Sequence, residues 1–360
     1  MSASPSHPVV DADTHVYETD VTWSYLADSE KHFKPLTLTA NEVPEGMRAR
    51  IKGNVRYWFM GGTLHFRPEG HIDHFAGEGT LEMRNMQARL ADMDRMGIDV
   101  QVIFSTMFLL MVLPDPERQM AMARAYNRWI ADCCSADPKR LRWVALIEPR
   151  MVEASCAELR RAKAAGAVGV MIRAFEGDSV LDDARFDPIY ATANELDMPI
   201  CVHAGNGSPS FGKISFGRYP RPNVVGGSGV SALAASCWLV SGLPERFPKL
   251  RIAFLETASV WVPFALNRCQ RFAARQLDRK LPDSAMRDAR IFVAVEEYEP
   301  LKATLEVLGP DNLLLGTDYG HNTDTSAEML AHNLIRKHPD LDAVGARKIV
   351  SDNAVRFYGL

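Results

Sequence analysis

The chain has 360 residues, 47% of them hydrophobic and 24% charged, with a formal net charge of -4. That length suits one large α/β barrel or two smaller domains around a sizeable core, and the charge gives no reason to expect a nucleic acid or an anionic membrane as partner. The six cysteines form no CxxC pair and lie mostly in apolar surroundings, so reduced thiols in a cytoplasmic protein are expected.

Met1 to Pro8 lacks the basic and then apolar pattern of a signal peptide. Pro8 to Asp13 reads as the first strand, ending in Asp13-Thr14-His15. On a strand, residues two apart share a face, so Asp11, Asp13 and His15 are expected together. Residues 16–80 then follow no regular pattern. They hold aromatics, glycines and the cluster His71-Ile72-Asp73-His74, and an insertion of this length is expected to cover a site or make an interface.

Regular alternation begins at residue 81. Leu81 to Met96 has helical spacing and Gly97 to stop it. Strands are predicted at Val100 to Phe104, Leu141 to Ile147, Val168 to Ile172, Pro199 to Val202, Leu250 to Leu255, Ile291 to Val295 and Leu313 to Gly316. Helices are predicted between them, including Asp115 to Ala136, Val152 to Ala165, Asp187 to Leu196, Val230 to Ser241 and Val260 to Leu277. The longest apolar stretch, Val102 to Leu113, is too short to span a bilayer and is broken by Ser105 and Thr106. Near-continuous apolar strands imply a parallel sheet covered on its outer face. Eight such units point to a single (β/α)8 TIM barrel over residues 1–360, with a long insertion or lid after the first strand. A doubly wound open sheet is the alternative, but no GxGxxG follows the first strand.

Barrel active sites lie at the C-terminal strand ends. In this chain those ends carry Asp13 and His15, then Glu148, Arg173, His203, Glu256, Glu296 and Glu297, and Asp318 with His321 close behind. Carboxylate oxygens and imidazole nitrogens together suit zinc, iron or manganese. Glu148 before Pro149 reads as a turn residue. His74, with His71 and Asp73, reads as a lid residue near the substrate or as plain loop rather than as a second ligand cluster. Arg173 could bind a substrate carboxylate or phosphate with its forked donors, or could form a salt bridge across the mouth.

The motifs DADTH, CVHAG, PKLRIAFLETASVWVP and LLLGTDYGH fall in the order and separation of a known family. The chain resembles the amidohydrolase superfamily, in the branch of the aminocarboxymuconate-semialdehyde decarboxylase-like enzymes. The resemblance runs from Val9 to about Phe357 and implies the (β/α)8 barrel. It also implies metal ligands at Asp13, His15, His203 and Asp318. Two departures matter: many relatives have His-x-His where this chain has Asp13-x-His15, and a histidine where the sixth strand ends in Glu256.

Glu256 is therefore expected as a general base or as a further metal ligand, with Asp318 both ligating and moving a proton, and His321 contacting substrate. One divalent metal ion, or two if Glu256 ligates, would activate water. Because the sixth-strand histidine works in the decarboxylases of this branch, its loss shifts the expectation to hydrolysis of an ester, thioester or amide bond in a small carboxylate or acyl substrate. Non-oxidative decarboxylation of an aromatic or unsaturated acid comes second, hydration of a double bond third, and a non-catalytic ligand-binding barrel is the different class to be weighed. A small-molecule substrate and a homodimer are the expected partners.

Overall fold

The structure is a computed structural model that describes residues 7–50, 56–67, 76–205, 207–208, 226–296, 299–321 and 331–360. Its main sheet has eight strands: β1 (Val10–Val16), β2 (Val100–Ser105), β3 (Leu141–Leu146), β4 (Gly169–Arg173), β5 (Ile200–His203), β6 (Ile252–Leu255), β7 (Ile291–Val295) and β8 (Leu313–Leu315). They lie in chain order, and each ladder between neighbours is parallel. The apolar runs give the reason: β5, β6, β7 and β8 are buried at every position, as strands between a filled barrel interior and an outer layer of helices must be.

Closure happens where chemistry-bearing residues sit. The amide of Asp318 donates to Asp13 O at 3.0 Å, and that of His15 to Tyr319 O at 2.8 Å. Below them Asp11 takes the Thr317 amide at 2.9 Å and its hydroxyl at 2.5 Å. Asp11 thus stitches β1 to the end of β8, while Asp13 and His15 turn to the mouth; the β1–β2 register shifts between Asp11 and Thr14. A Cβ on Gly316 would lie 2.9 Å from Asp13 Cβ, so glycine permits this close approach of the two strands.

Helices cover the outside, with bounds set by capping. The helix predicted from Leu81 starts later, at Met86 (Met86–Met96), because Met83 is left-handed (φ 54°) and Asn85 accepts the Ala88 amide as N-cap. The long helix Pro116–Cys134 begins after Asp115, whose carboxylate accepts the Glu117 and Arg118 amides.

The stretch read as irregular contains order that the pattern hid. Leu36–Leu38, Tyr57–Met60 and Thr63–Phe66 form an antiparallel three-stranded sheet. Met60 pairs with Thr63 across Gly61-Gly62, whose φ values of 56° and 74° make the two-residue turn that hairpins favour. Three- and four-residue strands are too short to show a period of two. Part of the insertion lies on the Pro116–Cys134 helix, held by Arg118 to Phe33 O at 2.9 Å and Arg124 Nε to Glu30 at 2.9 Å. Among the described residues no helix is long and apolar enough to cross a membrane.

Candidate active site

Six predicted residues meet at the C-terminal mouth of the barrel, and they come from β1, β5, β6 and β8 and the turns that follow. Asp13 is the hub. Its Oδ1 lies 3.0 Å from His203 Nε2 and 3.4 Å from His15 Nε2. His15 Nε2 lies 3.3 Å from Asp318 Oδ1 on its other side. Glu256 Oε2 lies 3.6 Å from His203 Nδ1. His321 completes the ring, with Nδ1 2.9 Å from Asp318 Oδ1 and its plane stacked on His15 at 3.8 Å between centroids.

Two of these residues are held in backbone conformations that side chains avoid. Glu256 and Asp318 both sit in the left-handed region, at φ 53° and 54°. Such positions cost on the order of 1–3 kcal/mol each and persist where the surroundings over-determine them. Glu256 follows β6 directly and Asp318 lies three residues past the end of β8, and each turns a carboxylate back over the mouth.

The electrostatics follow from burial and from the mixed charges. Asp13, 2% exposed, would be raised by burial alone, but His203 and His15 outweigh burial and hold its carboxyl well below the usual range. Burial works against charge on His203, yet Asp13 lifts that imidazole to about 9. His15 goes the other way: burial, with His321 beside it, lowers it well below 6.5. Glu256 has 37% of its side-chain surface open to the mouth, but the protein packed around its other sides, together with Asp318, raises it to about 7. Burial lowers His321.

This donor set fits a divalent metal. His15 is fully buried and neither ring nitrogen has a hydrogen-bond partner among the described residues. A buried imidazole left so is costly unless something else takes its lone pair. His203 keeps Nδ1 on Ala204 O at 3.2 Å, which leaves Nε2 pointing at Asp13 and the centre, as a ligating histidine does. The donors form two overlapping groups, Asp13 with His15 and His203, and His15 with Glu256, Asp318 and His321; within each the donor atoms lie within 4.8 Å of one another. His15 belongs to both.

Arg173 is placed differently. It is 4% exposed, its Nη2 and Nε bind Glu176 at 2.6 and 3.1 Å, and its Nη1 donates to Met111 O at 2.5 Å. A substrate carboxylate would have to displace Glu176 to reach that fork. Glu148 is held by Arg150 at 2.7 Å, a turn pair beside the site rather than part of it. His321 has both nitrogens engaged, the second with Thr106 Oγ1 at 2.8 Å. His74, like Glu297, lies outside the described residues. Sequence reasoning passed over Thr106 and Glu18, although the polar break at Ser105-Thr106 in an apolar run marked the end of β2.

An eight-stranded parallel barrel with clustered imidazole and carboxylate donors at its C-terminal mouth defines a metal-binding barrel of the enzyme type. The sequence profile of the amidohydrolase family matches residues 10–360, and the chain belongs to that family. Among characterised relatives, the 2-amino-3-carboxymuconate-6-semialdehyde decarboxylase of Dictyostelium discoideum is 24% identical over 279 residues, 76% of each chain. The gamma-resorcylate decarboxylase of Polaromonas sp. JS666 is 27% identical over 206 residues, half of this chain and 63% of that one. Among solved structures, the amidohydrolase map2389c of Mycobacterium avium subsp. paratuberculosis K-10 has a TM-score of 0.79 at 20% identity, covering 99% of this chain and 100% of that one. The 5-carboxyvanillate decarboxylase of Novosphingobium aromaticivorans DSM 12444, complexed with manganese and 4-hydroxy-3-methoxy-5-nitrobenzoic acid, has a TM-score of 0.69 at 19% identity, covering 99% and 97%. At these identities the solved structures establish the shared fold.

The sequence relatives overturn the expectation of ester, thioester or amide hydrolysis, since the two named above are decarboxylases. That expectation gave too much weight to one substitution. Replacing the sixth-strand histidine by Glu256 exchanges one polar group at the mouth for another, and leaves the surrounding imidazoles and carboxylates in place.

Proposed function

We propose that the chain is a metal-dependent, non-oxidative decarboxylase of a small aromatic or unsaturated carboxylic acid. The observation that carries this reading is the retained set Asp13, His15, His203 and Asp318, whose two overlapping donor groups share His15, in a chain whose sequence relatives are decarboxylases. These four residues would hold a single divalent ion, because His15 Nε2 lies between Asp13 and Asp318 and can give its lone pair to one ion only. A donor set with two carboxylates favours manganese or zinc over softer ions. The bound ion would supply charge that holds the acid and polarises an oxygen of the substrate.

The protein's own groups do the rest. In decarboxylation the carbon–carbon bond breaks, carbon dioxide leaves, and the carbon that keeps the electron pair takes up a proton. Glu256, raised to about 7, holds a proton near neutrality and is partly open to the mouth, which suits it to deliver that proton. Asp13 and the closing turn at Asp318 fix the histidines from opposite sides. Buried Phe104, 5.3 Å from the His203 ring, adds an apolar wall.

The test is carbon dioxide release from a panel of hydroxylated benzoic acids and unsaturated amino acids, with the protein stripped by chelator and then reloaded with manganese. Release that depends on added ion, and that falls roughly 10²–10⁴-fold in Glu256→Gln with metal uptake retained, is expected. A manganese-loaded protein that releases none from the whole panel overturns the reading.

A further inference from the structure

The turn after β2 faces the donor set without belonging to it. Thr106 Oγ1 lies 2.8 Å from His321 Nε2, and His321 Nδ1 lies 2.9 Å from Asp318 Oδ1. The first of these is a hydrogen bond and the second an ion-pair contact, and they run in line from the Thr106 hydroxyl through the His321 imidazole to the Asp318 carboxylate.

The turn that carries this hydroxyl is fixed by two buried charged side chains. From the β1 side, Glu18, 3% exposed, accepts the Met107 amide at 3.1 Å and the Ser105 hydroxyl. From β4, Arg173 donates to Met111 O at 2.5 Å while Glu176 locks its fork. Thr106 N also reaches Val16 O at 3.3 Å. Thr106 stands at the N-cap of the short helix Met107–Leu110, where a threonine hydroxyl ordinarily accepts a helix amide, and here it makes no such bond. Its hydroxyl faces the histidine instead. On the far side, Gly320 at φ 110° lets the chain turn against His15, where a Cβ would lie 3.3 Å from His15 Cβ, and this brings His321 back over the ring it stacks on.

We infer that Thr106 is a positioning residue, acting through His321 to aim the Asp318 carboxylate at the metal centre. The inference rests on the metal-site reading above and is independent of which acid is decarboxylated. Partners of this outer kind are worth roughly 10–100-fold in metal affinity.

The test is manganese binding to chelator-stripped protein, followed by the electron paramagnetic resonance signal of free ion. Thr106→Val, which keeps the shape and removes the hydroxyl, is expected to weaken binding roughly 10–100-fold. Thr106→Ser, which keeps the hydroxyl, is expected to bind like the wild type. His321→Gln is expected to lose about as much as Thr106→Val, and the double variant no more than either, because both cut one chain of contacts. Should Thr106→Val fail to fold, Thr106→Ala decides in its place. Wild-type affinity in Thr106→Val, failure of Thr106→Ser to rescue, or additive losses in the double variant would each overturn the inference while leaving the metal site standing. A wild-type protein that takes up no divalent ion sinks the metal-site reading and this inference together.

Discussion

Two strand ends in this barrel carry similar sequence signals and differ in what surrounds them. At the β1–β8 seam, Asp13, His15 and Asp318 converge, and His15 keeps two buried nitrogens without a hydrogen-bond partner among the described residues. At the end of β4, Arg173 has its nitrogens bound to Glu176 and to backbone carbonyls. Both sites are buried and both hold ionisable groups. The difference is satisfaction: the β4 end is a finished ion pair, and the seam has donors aimed at a common point. Charge at a strand end therefore identifies a candidate, and only the partners show whether it is structural or waiting for a ligand.

Substitutions can break this contrast. The largest effect is expected from His15→Ala, which removes the histidine shared by both donor groups. Metal binding should fall by more than the roughly 100-fold that an outer partner can cost, with the fold retained. Elemental analysis and circular dichroism check this, and a variant that keeps one metal ion per chain would erase the distinction between the two ends. Arg173→Met should do the opposite. It leaves Glu176 buried without its counter-charge, so stability should fall by about 3–5 kcal/mol in denaturant titration, with metal affinity in the folded fraction weakened by no more than the roughly 10–100-fold that loosening the Thr106 turn can cost. Adding Glu176→Leu should restore much of the lost stability. A greater loss of metal binding in the stable double variant would place Arg173 in the site after all.

A smaller effect concerns Glu18, which holds the β2 turn between the two ends. Burial raises its carboxyl from 4.5 to about 7. The folded state then binds this proton more tightly than the unfolded chain, so the contribution to stability is complete below about 4.5. It falls as pH rises from there to about 7, where it is gone, a change on the order of 2–3 kcal/mol. Denaturation of metal-free protein across that range should show this slope in the wild type and a shallower one in Glu18→Gln. Equal slopes would mean that Glu18 ionises normally and does not anchor the turn as described.

The barrel was legible because its strands are buried on both faces, which forces long apolar runs that need no alternation to be recognised. Asp13, His15, His203, Glu256 and Asp318 were legible for a related reason: a parallel barrel sends every strand end to one mouth, so chain position alone brings residues 305 apart in sequence, such as Asp13 and Asp318, to one site. The Gly61-Gly62 hairpin was passed over because its strands are too short for a pattern to emerge. The late start of the Met86–Met96 helix turned on one left-handed residue, Met83.

What the sequence by itself determined is therefore the fold, the strand ends and the residue types gathered there, because burial and chain direction depend on local pattern. What only the tertiary structure decided is which of those residues already have partners. Arg173 finds Glu176 three residues on but needs the β2 turn to complete its bonds, and Thr106 finds His321 from 215 positions away. Hydrogen bonds depend on distance and direction within tenths of an ångström. No one-dimensional pattern encodes those separations, so the line between a satisfied ion pair and a ligand-ready donor set is drawn by packing alone.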